Sequence, residues 1–145
     1  MHTHYFWTVT ILRAVAIYFL SAVSVAIFLY PGGNIHDCSQ VGYSFTHNFL
    51  SDLGTYQSHS GEINFYSSLL FNTAMLGFGL IAVSFCYVPL LFQAKASNFK
   101  IAISGSVCIF VGALLFSAVG LTPADLYEEE HIFVAINAPR WLSVG

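Results

Sequence analysis

Three stretches of this chain are each long and apolar enough to cross a lipid bilayer, and that one feature fixes most of what it can fold into. Crossing the hydrocarbon core takes about 20 mostly apolar residues at about 1.5 Å of rise each. The first stretch covers about residues 7–30, the second about 65–92 and the third about 101–121. A lone segment in lipid must satisfy its own backbone N–H and C=O groups, so each is expected to be an α-helix. Composition agrees: charged residues make up 8% of the 145-residue chain and hydrophobic residues 57%. A typical globular domain is about 25% charged. Four Lys plus Arg cannot form the clustered basic face that nucleic acid requires. The fold class expected is all-α, a multi-pass transmembrane helix bundle forming a single integral membrane domain over residues 1–145.

The first stretch reads as a retained span rather than a cleaved signal peptide. Its leader has no Lys or Arg, the apolar run is long for a signal, and no small-x-small site precedes the Tyr30-Pro31-Gly32-Gly33 turn. Its single charge, Arg13, lies near the start, where a long side chain can snorkel to the interface. A fourth apolar stretch begins at Ile132 and runs the 14 residues to Gly145, too few to cross. It is either a re-entrant piece or the start of a fourth span in a longer protein; the second is the expectation.

Orientation follows from the basic residues. The connection around residues 93–100 holds Lys95 and Lys100 and no acid, whereas the connections 31–64 and 122–131 hold no Lys or Arg. The positive-inside rule therefore puts the lysine loop and the N-terminus in the cytoplasm, in the plasma membrane if the cell is prokaryotic. Loops 31–64 and 122–131 then emerge together on the outer side. Within the third span Ser104, Cys108 and Gly112 recur every fourth residue, a small-residue stripe through which another helix can approach, including one from a second copy in a helix–helix oligomer. Ala22, Ala26 and Gly79 can serve similarly. Asn72, inside the second span, is expected to hydrogen-bond a neighbouring helix, the other reading being a place on a transport path. Cys38, Cys86 and Cys108 show no pairing or metal-ribbon spacing and read as free thiols.

The outer loops carry the chemistry. Residues 44–54 have helical periodicity, with Phe45, Phe49, Leu50 and Leu53 able to lie on the membrane surface and Gly54 ending the helix. His47 and Ser51 fall one turn apart beside Asp52, and His59 and Glu62 follow. Thr122-Pro123-Ala124-Asp125 reads as a helix start, with Thr122 as cap, Pro123 at the first helical position and the acid of Asp125 two residues on. Glu128, Glu129, Glu130 and His131 come next. Ser51/Asp52 and Asp125/His131 are expected to face each other outside.

Three functional readings are compatible with these residues. His47, Asp52, His59 and His131 can ligate a divalent metal such as zinc, since neutral imidazoles and a carboxylate suit it. A bound water acidified by that metal would attack a lipid ester, amide or phosphate, with Ser51, Asp52 and His131 as candidate catalytic residues. The same groups can instead form a proton or ion relay. In the third, Asp52 and Asp125 cap helices, the histidines sit at the interface and the three glutamates form a solvated rim. No tight motif such as H-E-x-x-H is present, and the expectation is non-enzymatic: membrane organisation, lipid interaction or small-solute transport, with membrane lipid as partner and no nucleic acid.

The runs Asn48-Phe49-Leu50-Ser51-Asp52-Leu53-Gly54, Leu70-Phe71-Asn72-Thr73 with Gly77, and Gly120-Leu121-Thr122-Pro123-Ala124-Asp125 with His131 resemble one pattern. It is that of the domain-of-unknown-function 998 family of multi-pass membrane proteins, with S-D-L-G before the second span, F-N within it and P-x-D…H after the third. A more distant likeness is to Frag1/DRAM-type membrane proteins. The resemblance covers about residues 31–131 and implies a bundle of about six helices, of which this chain would be the N-terminal half or slightly more. It implies no activity, but it raises Ser51, Asp52, Asn72, Asp125 and His131 as signature positions.

Overall fold

A computed structural model describes residues 2–144. Among them are five α-helices and no strand: α1 (His2–Leu29), α2 (Phe65–Leu76), α3 (Phe78–Phe85), α4 (Ala96–Val119) and α5 (Glu128–Leu142). The all-α bundle expected from the three apolar runs is the architecture observed. Single-turn 3-10 helices occupy Leu50–Gly54 and Val88–Phe92. α2, α3 and the second 3-10 turn follow one another closely enough to make one span, Phe65–Phe92, and Tyr5–Leu29 and Ala96–Val119 are the other two. Pro89 occupies the start of the second 3-10 turn, where its missing N–H has no ladder to break.

These helices are apolar outward as well as inward. In the most hydrophobic 18 residues of each span only 17% are buried, and Ile17, Leu20 and Phe28 stand 66%, 66% and 88% exposed. Water would not tolerate that much uncovered apolar surface, and lipid solvates it. The chain is read as an integral membrane protein on that ground.

Where helices meet, small residues set the approach. Ala22 and Ala26 of α1 are buried, and Gly79 of α3 faces Ser117 of α4 so closely that a Cβ would lie 3.2 Å from its Oγ. Gly112, third in the Ser104/Cys108/Gly112 stripe, packs against Leu142 and the Ala138 carbonyl of α5, so this part of the stripe serves a contact within the chain. Polar side chains join the spans: Tyr18 Oη and Thr73 Oγ1 hydrogen-bond at 2.8 Å, and Ser117 Oγ donates to the Leu76 carbonyl at the α2–α3 junction. Residues 132–142 of the fourth apolar stretch lie within α5, a 15-residue helix that packs along α4.

The densest packing is at the end of the bundle that bears the two long loops. Ala26, Tyr30, Leu53, Phe71, Met75, Val119 and Val134 form one buried cluster drawn from α1, the first loop, α2, α4 and α5. Charge is divided along the same axis. All seven acids (Asp37, Asp52, Glu62, Asp125, Glu128, Glu129 and Glu130) belong to the loop end. Lys95 and Lys100 lie at the opposite end, just before α4 and in its first turns, while Arg13 and Arg140 lie partway along α1 and in the last turn of α5.

Candidate functional site

The connection 30–64 folds back on itself. Its two ends are pinned by isolated antiparallel bridges, Gly32 with Val41 and Gln57 with Ile63. Gly33, at φ +78°, sits so close to the backbone of His59 and Ser60 that a Cβ would lie 2.3 Å from the Ser60 nitrogen. Only glycine permits both that φ and that approach.

Helical periodicity over residues 44–54 predicts a longer helix than forms. The segment contains a turn at residues 45–47 and the single 3-10 turn Leu50–Gly54. The reason is local side-chain competition for the backbone. Asn48 Oδ1 accepts the Ser44 N–H at 3.0 Å, while Asp52 reaches back so that its Oδ2 accepts the Phe49 N–H at 3.0 Å. Phe45 and Phe49 project outward, but Leu53 is fully buried in the core cluster. Gly54 does not end a helix in a left-handed conformation. It is the last residue of the 3-10 turn, pressed against α2, where a Cβ would lie 2.6 Å from Phe71 Cδ1 and 2.7 Å from Asn72 Oδ1.

Asp52 is the hub of this turn and is 5% exposed. Besides Phe49, its Oδ2 accepts from Asn48 Nδ2 at 3.0 Å, and the same Asn48 amide donates to the Gly33 carbonyl at 2.8 Å. His59 Nε2 lies 3.5 Å from Asp52 Oδ2 without the alignment of a hydrogen bond, and this nitrogen is buried without another partner. Tyr43 lies over the same region with its ring edge-on to Tyr30. Burial, and then the Asp52 charge, raises the Tyr43 phenol above its ordinary range. Ser51 is half-buried in the turn.

The turn is then bolted to the second span by three side chains. Asn64 Nδ2 faces the carbonyls of Asp52, Leu53 and Thr55 at 3.3, 3.1 and 3.1 Å. Ser67 Oγ donates to the Leu53 carbonyl at 3.1 Å. Asn72 Nδ2 donates to the Gly54 carbonyl at 3.0 Å, so the intramembrane amide bonds the descending loop and not a neighbouring helix. Asn64 and Ser67 were not among the candidates raised by sequence. The signal for Asn64 was its place just before α2, where an amide would ordinarily cap the helix; here it makes no cap bond and holds the loop instead.

The second loop does not begin its helix at Thr122. Residues 123–127 make one isolated turn, and α5 starts at Glu128. Thr122 Oγ1 donates back to the Ala118 carbonyl, and Pro123 offers its carbonyl to the Leu126 and Tyr127 N–H groups. Asp125 is thereby released from capping its own helix. Its two carboxylate oxygens accept the Tyr56 and Gln57 N–H groups at 3.0 and 2.9 Å. His131, 6% exposed in the first turn of α5, places Nδ1 2.6 Å from the Thr122 carbonyl. A carbonyl only accepts, so Nδ1 carries the proton.

The outer loops thus meet, but through Asp125 and a backbone segment, not through Asp52 and His131. Of the four ligands considered for a metal, Asp52 and His59 are brought together. His47 Nδ1 pairs with Thr46 Oγ1 at 2.7 Å, its ring edge-on to His36, and His131 is bound to Thr122. Among the described residues no three His, Cys, Asp or Glu side chains converge as a ligand set. No family model, no curated protein and no solved structure matches the chain.

Proposed function

We propose that this chain is a multi-pass membrane protein with a non-enzymatic role in membrane organisation and lipid interaction, its loops 31–64 and 122–131 forming a rigid outer cap. One observation carries the reading: the signature side chains Asp52, Asn72, Asp125 and His131 are spent on backbone groups of the cap itself. Such bonds fix the shape of the cap. Orientation with the cap outside rests on the separation of charge, because basic residues concentrate at cytoplasmic membrane faces. The likeness of the S-D-L-G, F-N and P-x-D…H runs to the domain-of-unknown-function 998 family belongs to the same reading, since the first two runs meet at Gly54 and Asn72 and Asp125 of the third binds the Tyr56–Gln57 segment that follows the first.

The test is to replace Asp52 and Asp125 singly by Ala and measure membrane accumulation and protease resistance of the loops. Loss of both, at unchanged transcript level, is the expected result. Full accumulation with an intact, protected cap in both variants would sink a structural role.

A second reading is favoured by the Asp52–His59 pair alone. A metal-dependent hydrolase acting on lipids would use those two groups as ligands, with a third donor to be recruited. Metal content of protein purified without a His tag decides it. Stoichiometric zinc lost in both His59→Ala and Asp52→Ala would establish the site, and metal-free folded protein would remove the hydrolase.

A further inference from the structure

The end of the bundle opposite the cap is loosely packed, and its looseness has a definite shape. The second span changes from α-helix to a 3-10 turn after Phe85, while α4 presents Ala102, Gly105 and Ser106 across from it. Narrowing one partner against small residues on the other leaves the seam open on both sides. One cleft, of about 330 Å³, is bounded by Phe85, Val88, Phe92, Asn98, Ile101 and Gly105. The other, of about 350 Å³, is bounded by Phe85, Cys86, Pro89, Ile103, Val107 and Phe110. Both volumes fall within the range that binds small apolar ligands, about 300–1,000 Å³.

Charge says what fills them. A lysine stands on the connecting-loop side of each cleft. Lys95 is the extended residue just before α4, three residues ahead of Asn98 of the first, and Lys100 precedes Ile103 by three and Val107 by seven on the α4 face lining the second. No acid lies between Glu62 and Asp125, so neither ammonium is neutralised by a neighbour along these helices. An apolar cleft running into the membrane with a cation at its interfacial end matches one chemistry: an acyl chain attached to an anionic headgroup. Cholines and other zwitterions offer the same chain without the net charge.

We infer that the two clefts beside Phe85 seat acyl chains of anionic phospholipid from the leaflet on the Lys95/Lys100 side, with the lysines holding the headgroups. The inference rests on the membrane insertion proposed above and names the lipid class. A lysine near a membrane surface contributes enrichment of anionic lipid of about fivefold.

The test uses the full chain with Trp7 and Trp141 replaced by Phe and a single reporter, Ile101→Trp, at the first cleft. A second preparation carries Leu20→Trp on the outward face of α1 instead. Both are reconstituted in phosphatidylcholine vesicles containing a minority of phosphatidylglycerol, with brominated chains on one lipid at a time. Expected is quenching at position 101 by brominated phosphatidylglycerol well beyond its share of the bilayer, no such preference at position 20, and loss of the preference at 101 in Lys95→Gln/Lys100→Gln. Quenching at 101 in proportion to lipid share, or a preference unchanged by the double substitution, overturns the lipid site while leaving membrane insertion intact. Absence of quenching at position 20 by either lipid overturns the insertion itself.

Discussion

The carboxylate of Asp125 accepts the backbone N–H of Gln57 at 2.9 Å across 68 residues of chain, and its second oxygen takes the neighbouring N–H of Tyr56 at 3.0 Å. Both donors belong to the segment that returns the first loop to the membrane, so this clamp joins the two halves of the cap. Asp125→Ala removes both acceptors at an exposed site, where such a loss costs about 0.5–2 kcal/mol, as for a helix cap. Asp125→Asn is expected to be intermediate, because its amide keeps one acceptor and turns a donor toward the other N–H. Proteolysis between residues 55 and 62, timed for the three proteins, is predicted to quicken in the order wild type, Asn, Ala.

Asp52 serves the same purpose inside the first loop, but buried. With Oδ2 gone in Asp52→Ala, the Phe49 N–H and the Asn48 amide lose an ionised acceptor, a loss of about 1.5–3 kcal/mol for hydrogen bonds to charged groups. Amide hydrogen exchange is expected to rise over residues 44–55 while α4 is unchanged. Equal rises in both regions would mean that Asp52 supports the whole bundle rather than the turn.

The three spans were legible in the sequence because length and hydropathy act over twenty residues and need no partner. The cap was not, and the reason is specific. Periodicity at Phe45, Phe49 and Leu53 is real, but Asn48 and Asp52 lie between those residues and bond the backbone that a helix would need. Thr122-Pro123-Ala124-Asp125 likewise carries the residues of a helix start, and the carboxylate is drawn away by two N–H groups that only tertiary contact supplies. Asp52, Asn72, Asp125 and His131 could be singled out from sequence as candidates; which backbone group each would meet could not. Gly54 reads in the sequence as the end of a helix; it is the last residue of the 3-10 turn and also a contact residue, and nothing in a sequence shows Phe71 lying against it.

That contact can be tested against a second one. A Cβ on Gly120 would lie 2.5 Å from the Asn72 backbone carbonyl and 3.0 Å from Met75 Cβ, whereas one on Gly54 meets side-chain atoms of Phe71 and Asn72. A ring and an amide can shift, but a helix backbone shifts only by moving α2. Overpacking of this kind costs about 1–3 kcal/mol. Gly120→Ala is therefore expected to lower the thermal midpoint in detergent more than Gly54→Ala; the reverse order would show that the Phe71 side of the contact is the rigid one.

Tyr43 gives the cap an alkaline limit. Its phenol titrates above its ordinary value because burial, and then the Asp52 charge, disfavour phenolate. A raised pKa in the folded state means that the folded protein holds the proton more tightly. The associated stability is full below the unfolded value, about 10, and is lost as pH climbs from there through the folded value. The tyrosinate absorbance difference between wild type and Tyr43→Phe should therefore titrate above 10. In the Asp52→Asn background that difference should move down, with the part due to burial persisting. A difference curve unmoved by Asp52→Asn would assign the whole shift to burial.

Asn64 offers the sharpest distinction between a cap that is held and one that merely rests on the helices. The side chain is 1% exposed and its amide nitrogen faces three carbonyls, of which Leu53 has a second donor in Ser67 and Asp52 a second in Thr55 Oγ1. Asn64→Ala leaves the Thr55 carbonyl without that side-chain donor and opens a small void, a loss of about 1–3 kcal/mol. Asn64→Asp keeps the shape and reverses the chemistry, setting an acceptor, or an unpaired buried charge, against the same carbonyls. Burial of a charge without a partner costs more than loss of a hydrogen bond. Thermal midpoints should therefore fall in the order wild type, Ala, Asp, and the Asp variant should recover toward Ala at low pH, where its carboxyl is protonated and can donate. If Asn64→Asp were as stable as wild type at neutral pH, the three carbonyls would not be held by this amide, and the turn Leu50–Gly54 would owe its position to Leu53 burial and the Ser67 and Asn72 bonds.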